Sequence, residues 1–366
     1  MIEKTTMPTR LIAFYLPQFH PITENDQWWG NGFTEWHNVV KARPLFPGHY
    51  QPHVPADLGF YDLRLPETRS AQAELASAYG IQGFCYYHYW FNGRRILERP
   101  FDEVFNSRRP DFPFCLCWAN ENWTRAWNGG ERDILLQQQY SQEDDFNHIS
   151  YLLKVFQDER YIRVAGKPLF IIYRPASLPH PERTVECWRQ AAIKAGMGDI
   201  FLACVEGFDS TFNPIENGFD AVIEFAPDWR NMGRKRHGGI AGKLLSQIGI
   251  VDSLFQNQSV VLYDSLVKTM TQKEKPAYPY FRCVCPSFDN SGRRSSGAAI
   301  FQDSTPEKYG KWLSDVIRWT KQNNSDDRQI VFINAWNEWG EGNHLEPDQK
   351  WGRAYLEATY RAINCK

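Results

Sequence analysis

Glu338, Glu341, Glu346 and Asp348 fall within the stretch NAWNEWGEGNHLEPD (334–348), together with two tryptophans and a histidine. Two carboxylates flanking a glycosidic bond can cleave it: one protonates the leaving oxygen and the other acts as nucleophile or base. Glu338 and Glu341 are three residues apart. In an extended strand that spacing points them to opposite faces, but a turn brings i and i+3 together, and Gly340 and Gly342 supply a permissive backbone. Crowding two carboxylates raises the pKa of one of them, which is what a general acid at neutral pH requires. The pair Glu338 and Glu341 is therefore the expected catalytic set.

The acids follow IVFI (330–333), a run with no charge, and the same arrangement recurs along the chain. Short apolar runs begin at residues 11, 81, 112, 168, 200, 221, 280 and 330, and each ends in a burst of polar and aromatic residues. Continuous apolar runs without alternation mark strands buried on both faces. Helical patterns lie between them at 65–80, 141–159, 184–196, 305–322 and 351–363. Ser141 with Asp144, and Thr305 before Pro306, read as helix starts; Gly80 and Gly196 read as helix stops. Repeated strand–helix units predict a (β/α)8 TIM barrel as a single domain over 1–366. Residues 30–60 carry Gly and Pro without clear periodicity and read as a long N-terminal loop over the barrel mouth. A doubly wound nucleotide-binding sheet is disfavoured, because the first strand ends in YLPQFH with no glycine-rich phosphate loop.

In such a barrel the C-terminal strand ends carry the site. The polar and aromatic residues expected there to bind substrate are Tyr15, His20, Trp36, His53, Tyr87, His88, Trp118, Asn120, Glu121, Trp123, Tyr173, Glu206, Glu224, Asp289, Trp336, Asn337, His344 and Glu346. Acids, amides, imidazoles and indole faces with few lysines suit a neutral, hydroxyl-rich ligand, the rings stacking on its apolar side. Burying a polar group without a partner costs about 1–3 kcal/mol, so a polar set of this size implies a wet cavity. The segment NSGRRSSG (290–297) is either a mobile loop that meets an anionic sugar or phosphate, or a solvated turn.

Bulk properties narrow the field. Net charge is −2 over 366 residues, which excludes charge-driven binding to nucleic acid or anionic membranes. Aromatic residues make up 15%, including 14 Trp, many beside Asn, Glu and His rather than inside apolar runs. The eight cysteines include two CxC pairs but no CxxC, so zinc-ribbon spacing is absent. No HExxH, His-x-His or EF-hand spacing occurs, and neither metal nor cofactor is expected. The starting segment MIEKTTMPTR has no apolar core and no run of about 18 apolar residues occurs, which reads as a soluble, cytoplasmic protein without a membrane span. Oligomeric state is not legible.

The motifs FYLPQFHPI…NDQWWGNGFTEW, KARPLFPGHYQPHVPADLGFYDLR, GFCYYHYWFNGRRILERP, FPFCLCWANENWTR and INAWNEWGEGNHLEPD resemble the WbsX-type family of bacterial proteins, related to glycoside hydrolase family 99. The resemblance spans roughly residues 10 to 363 and is loosest across 230–280. It implies a metal-independent, retaining enzyme acting on an oligo- or polysaccharide, specifically a bacterial surface polysaccharide such as lipopolysaccharide O-antigen or capsule. It implies that Glu338 takes the proton of the substrate's own 2-hydroxyl, which attacks the anomeric carbon to give an anhydro-sugar, while Glu341 is general acid and then base. Two other functions stay open. One is a glycosyltransferase using an activated sugar donor, for which Arg293 and Arg294 are the candidate phosphate clamp. The other is a non-catalytic glycan-binding barrel.

Overall fold

The computed structural model describes residues 8–125, 130–206, 212–234, 236, 244–245, 247–249 and 258–365. Eight parallel strands close on themselves: β1 (Arg10–Tyr15), β2 (Phe84–Phe91), β3 (Phe114–Trp118), β4 (Lys167–Ile172), β5 (Phe201–Val205), β6 (Ala221–Ile223), β7 (Tyr280–Val284) and β8 (Ile330–Ile333). Each pairs in parallel with the next, and β8 returns to β1 in the register Arg10↔Ile330 to Ala13↔Ile333. This is the (β/α)8 barrel, and its eight strands coincide with the eight apolar runs, β1 and β4 starting one residue earlier.

Helices follow seven of the strands: Pro66–Ala78, Arg99–Ser107, Gln142–Val155, Pro181–Lys194, Tyr263–Thr271, Pro306–Asn323 and Ala354–Asn364. The Ser141 hydroxyl accepts the Asp144 N–H at 3.0 Å and the Thr305 hydroxyl accepts the Lys308 N–H at 3.3 Å, so both starts are capped by side chains. Gly80 (φ +84°) and Gly196 (φ +72°) stand just beyond two helix ends in the left-handed region. Between β5 and β6 the described residues form a turn at 214–218 and no helix, a departure from eight full strand–helix units. The helices at 99–107 and 263–271 escape the sequence reading because both are short.

Side-chain alternation along the strands divides the chain's aromatic stock. Phe14 packs at 5.5 Å on both Tyr87 and Phe332 inside the barrel. The buried thiols of Cys85, Cys115 and Cys117 fill the remaining space there, and all eight cysteines are free. Tyr15, His88 and Trp118 point the other way, into the layer between strands and helices. Trp118 is 1% exposed and packs against His148 and Trp188 at 4.7 and 5.9 Å. The expectation that Trp118 stacks on a sugar is therefore corrected: it faces the helices rather than the mouth.

Residues 16–65, with short helices Thr23–Trp29 and Trp36–Val40, cross the C-terminal rim. Backbone bonds from Ala56 to Pro347 (2.9 Å) and from Gln349 to Val54 (2.9 Å) stitch this excursion to the segment after β8. Its Trp36 lies among Phe19, Tyr61 and Trp339. Emptying the Trp118 site should destabilise the fold by about 3–5 kcal/mol, the scale for truncating a large buried aromatic. Chemical denaturation of Trp118→Ala checks this, and a loss under about 1 kcal/mol contradicts the assignment.

Candidate active site

Period-two alternation in β2 aims Tyr87, Tyr89 and Phe91 at one side, and all three line a cavity of about 410 Å3 at the C-terminal end of the barrel. Leu16 and Gln18 reach it from the end of β1, Ala119 and Glu121 from β3, Tyr173 and Arg174 from β4, and Phe225 and Trp229 from beyond β6. Tyr89 stacks on Trp123 at 5.4 Å with an interplanar angle of 15°, giving one wall a flat aromatic face. The volume lies within the usual range for small-ligand clefts.

The acid-bearing turn forms the floor. After β8 the chain makes a two-residue antiparallel pairing, Asn337↔His344 and Glu338↔Asn343, closed by a single 3-10 turn at Trp339–Glu341. Three residues per turn eclipses i and i+3, which sets Glu338 and Glu341 on the same side. Gly342, at φ +53°, lets the chain reverse. Gly340 is required for a different reason: a Cβ there would overlap the Glu35 carboxylate.

Arg293 holds the site together. Its Nη2 donates to Glu338 Oε2 at 2.9 Å, its Nη1 to Glu341 Oε1 at 2.6 Å and its Nε to Glu35 Oε1 at 2.7 Å. Three carboxylates thus share one guanidinium, and the fork geometry suits that use better than an ammonium would. Burial first, and then mutual repulsion, raises Glu338 to about 8; burial also raises Glu341. The Glu341 side chain is the more exposed of the pair (23% against 9%), and so faces the open cavity.

Of the residues expected to bind substrate, Tyr87, Glu121, Trp123 and Tyr173 line this cavity beside Glu338 and Glu341. The others are not among its lining residues, for stated reasons. Tyr15 points outward and donates to Gln72 at 2.7 Å. His88 turns into the helix layer, where its Nε2 lies 3.0 Å from His148 Nε2; burial lowers it to about 3. Asn120 and Asn337 are consumed in strand-end ties, to the backbone of Arg174 (2.8 and 2.7 Å) and of Leu16 (2.7 and 3.0 Å). Trp336 is fully buried against Phe84. Glu206 and Glu224 join a charge network with Arg230, Lys273 and Arg282 behind the wall. Glu346 sits under the acid turn and accepts from Trp339, Gln72 and Tyr61 at 2.6–2.8 Å. Trp36 donates to the Tyr61 carbonyl at 2.8 Å within the excursion, and His20 is buried near Asp62. Asp289 is bound to His49 at 2.5 Å, and His53 and His344 pair with each other at 2.8 Å.

Tyr89, Phe91, Phe225 and Trp229 were missed at the sequence level, although alternation from Tyr87 would have found the first two. The sequence places Glu35 only within the long N-terminal loop over the mouth and offers Arg293 only as a candidate phosphate clamp. Their roles as partners of Glu338 and Glu341 depend on contacts across 258 and 45 residues, for which the sequence carries no local signal.

The barrel with paired carboxylates at its mouth is an architecture common to many catalysts. A family model described as Glycosyltransferase WbsX matches residues 11–359, and the chain belongs to that family. An uncharacterized protein WxcX of Xanthomonas campestris pv. campestris is 42% identical over 358 residues, covering 98% of this chain. The chain spans about half the length of that relative (50%). The fold is similar to that of the GH99 endo-alpha-mannosidase from Bacteroides thetaiotaomicron, with a TM-score of 0.56 and 15% identity over 97% of this chain and 96% of that one. A glycoside hydrolase-like protein gives a TM-score of 0.61 and 13% identity, over 100% and 97%.

Removing the shared cation should expose the repulsion it offsets. Arg293→Met is expected to lose about 3–5 kcal/mol of stability at pH 7.5, the cost of leaving buried charge uncompensated. The loss should shrink at pH 5, well below the raised value of Glu338, where that acid is protonated and needs no cation. Equal losses at both pH values, in denaturant unfolding, would contradict the arrangement.

Proposed function

We propose that this chain is a retaining enzyme that breaks and remakes glycosidic bonds of a bacterial surface polysaccharide, in the manner of family 99 glycoside hydrolases. The observation that carries this reading is the pairing of Glu338 and Glu341 on one guanidinium, facing a cavity walled by Tyr89, Trp123 and Tyr173. Aromatic faces and carboxylates are the groups that recognise a pyranose and act on its anomeric centre. We assign the whole chain, 1–366, to this single catalytic unit. The eight free cysteines support a reducing, cytoplasmic setting.

In the proposed sequence Glu338 accepts the proton of the substrate's 2-hydroxyl. That oxygen attacks the anomeric carbon as the glycosidic C–O bond breaks, and Glu341 donates its proton to the departing oxygen. The resulting anhydro-sugar is opened by water or by a sugar hydroxyl, deprotonated by Glu341, while Glu338 returns its proton to the 2-oxygen. The pair must therefore enter the cycle with one proton between them, carried by Glu341 in the productive complex. The raised affinity of Glu338 lets the pair hold that proton near neutral pH, to be passed to Glu341 when substrate binds, and the Arg293 guanidinium stabilises whichever carboxylate is ionised.

Transfer from a nucleotide-activated donor is the second reading, which the family's description favours. It is less well supported by the cavity, because Arg174 and Arg293 both already hold carboxylates, Glu121 at 2.6 Å in the first case. A donor pyrophosphate would have to displace them.

Glu341→Gln should lower turnover of an α-mannoside-type substrate by at least about 100-fold, with little change in Tm. Near-wild-type activity would remove Glu341 from the chemistry. For the wild type, kcat/KM should fall as pH rises through about 8, where the pair loses its shared proton; a profile flat to pH 9.5 would contradict this. Scoring nucleotide release separately from reducing-sugar release decides between the two readings.

A further inference from the structure

Behind the acid turn, on the side away from the sugar-sized cavity, lies a second cavity of about 90 Å3 between the excursion and the segment after β8. It adjoins His53, His344 and Asp348. These three are buried, and one potential ligand atom from each lies within 4.8 Å of the others. We propose that His53, His344 and Asp348 bind one first-row divalent cation, Zn2+ being the best match, and that the bound ion pins the excursion to the turn bearing Glu338 and Glu341.

The side chains are already oriented for this. His344 Nδ1 lies 2.8 Å from the Glu346 carbonyl oxygen, which fixes its proton on that nitrogen and turns the Nε2 lone pair toward the cluster. Such a carbonyl partner is the usual means of aiming a metal-ligating imidazole. Asp348 is held in the same fashion: one carboxylate oxygen accepts the Trp351 N–H at 2.6 Å, and the other lies 3.9 Å from His344 Nε2. His53 Nδ1 is 2.8 Å from the same nitrogen, so without an ion the two imidazoles share a proton supplied by His53. Ion entry needs only the alternative neutral tautomer of His53, with its proton on Nε2, and no net proton release. At Zn–N distances of about 2.0–2.1 Å the two nitrogens would separate by roughly half an ångström.

Ligand chemistry selects the ion. Two imidazoles and one carboxylate suit Zn2+ and its first-row neighbours, whereas Ca2+ and Mg2+ prefer all-oxygen sets. Three protein ligands leave a coordination position, and the adjoining cavity has room for water. The expected consequence is mechanical. His53 belongs to the excursion and His344 to the strand that closes the acid turn. Trp339, from the turn itself, stacks on the His344 ring at 3.6 Å. An ion joining the two histidines therefore restrains the element that aims the catalytic pair. Spacing rules found no metal set because the first ligand lies 291 residues from the second.

The test uses the untagged chain, stripped with chelator and dialysed, then titrated with Zn2+ and with Co2+. Calorimetry and elemental analysis should give one ion per chain, Co2+ should show the visible absorption of a four- or five-coordinate centre, and Zn2+ should raise Tm. Asp348→Asn and His344→Gln should each weaken binding at least about 10-fold, with far-ultraviolet circular dichroism to verify folding. Binding well below one ion per chain, a six-coordinate Co2+ spectrum, or unchanged affinity in a folded variant would leave a hydrogen-bonded imidazole pair and overturn the proposal. If neither variant folds, the wild-type stoichiometry and Co2+ spectrum decide the matter alone.

Discussion

One guanidinium shared by three carboxylates, two of them buried, is the constraint on which the mouth of this barrel depends. Glu35, Glu338 and Glu341 come from two distant parts of the chain, and all three converge on Arg293. The arrangement explains several local choices at once. Gly340 has no side chain because Glu35 needs the space. The excursion must cross the rim because it delivers Glu35. The stretch NSGRR is ordered at Arg293, since Asn290–Gly292 forms a 3-10 turn begun by the Asp289 carboxylate accepting the Ser291 N–H. Of the two readings of that segment, a mobile loop and a solvated turn, neither describes Arg293, whose side chain is buried in the site.

The architecture was legible in the sequence because it rests on local signals. Continuous apolar runs such as IVFI and capped helix starts at Ser141 and Thr305 are written in contiguous residues. The acid pair was legible for the same reason: its spacing, its two glycines and the strand before it lie within a few positions. Residue types at strand ends, by contrast, were over-read. Polar and aromatic residues at the rim serve three layers, and only alternation separates them. Tyr87 faces the cavity and His88 the helices, although they are neighbours in sequence. Asn120 and Asn337 read as sugar ligands but tie adjacent strand ends together, an equally demanding use for an amide.

The lower edge of the site shows how stability and function share residues. Glu346, buried beneath the acid turn, collects an indole N–H, an amide and a phenol, and so fixes Trp339 and Tyr61. Trp339 in turn lies between Trp36 of the excursion and His344. Proximity in the sequence to the acid pair thus gives Glu346 and His344 a substrate-binding look, whereas their contacts give them the task of holding the turn that presents it.

On the proposed reading, a sugar ring occupies the barrel mouth with Glu338 and Glu341 on the atoms that react. A crystal structure with a mannose-configured iminosugar tests it most directly. The ring should sit in the cavity beside Tyr89 and Trp123, with Glu338 within hydrogen-bond reach of the 2-hydroxyl and Glu341 beside the anomeric position. An inhibitor seated elsewhere, or one that leaves both carboxylates bound only to Arg293, would contradict it.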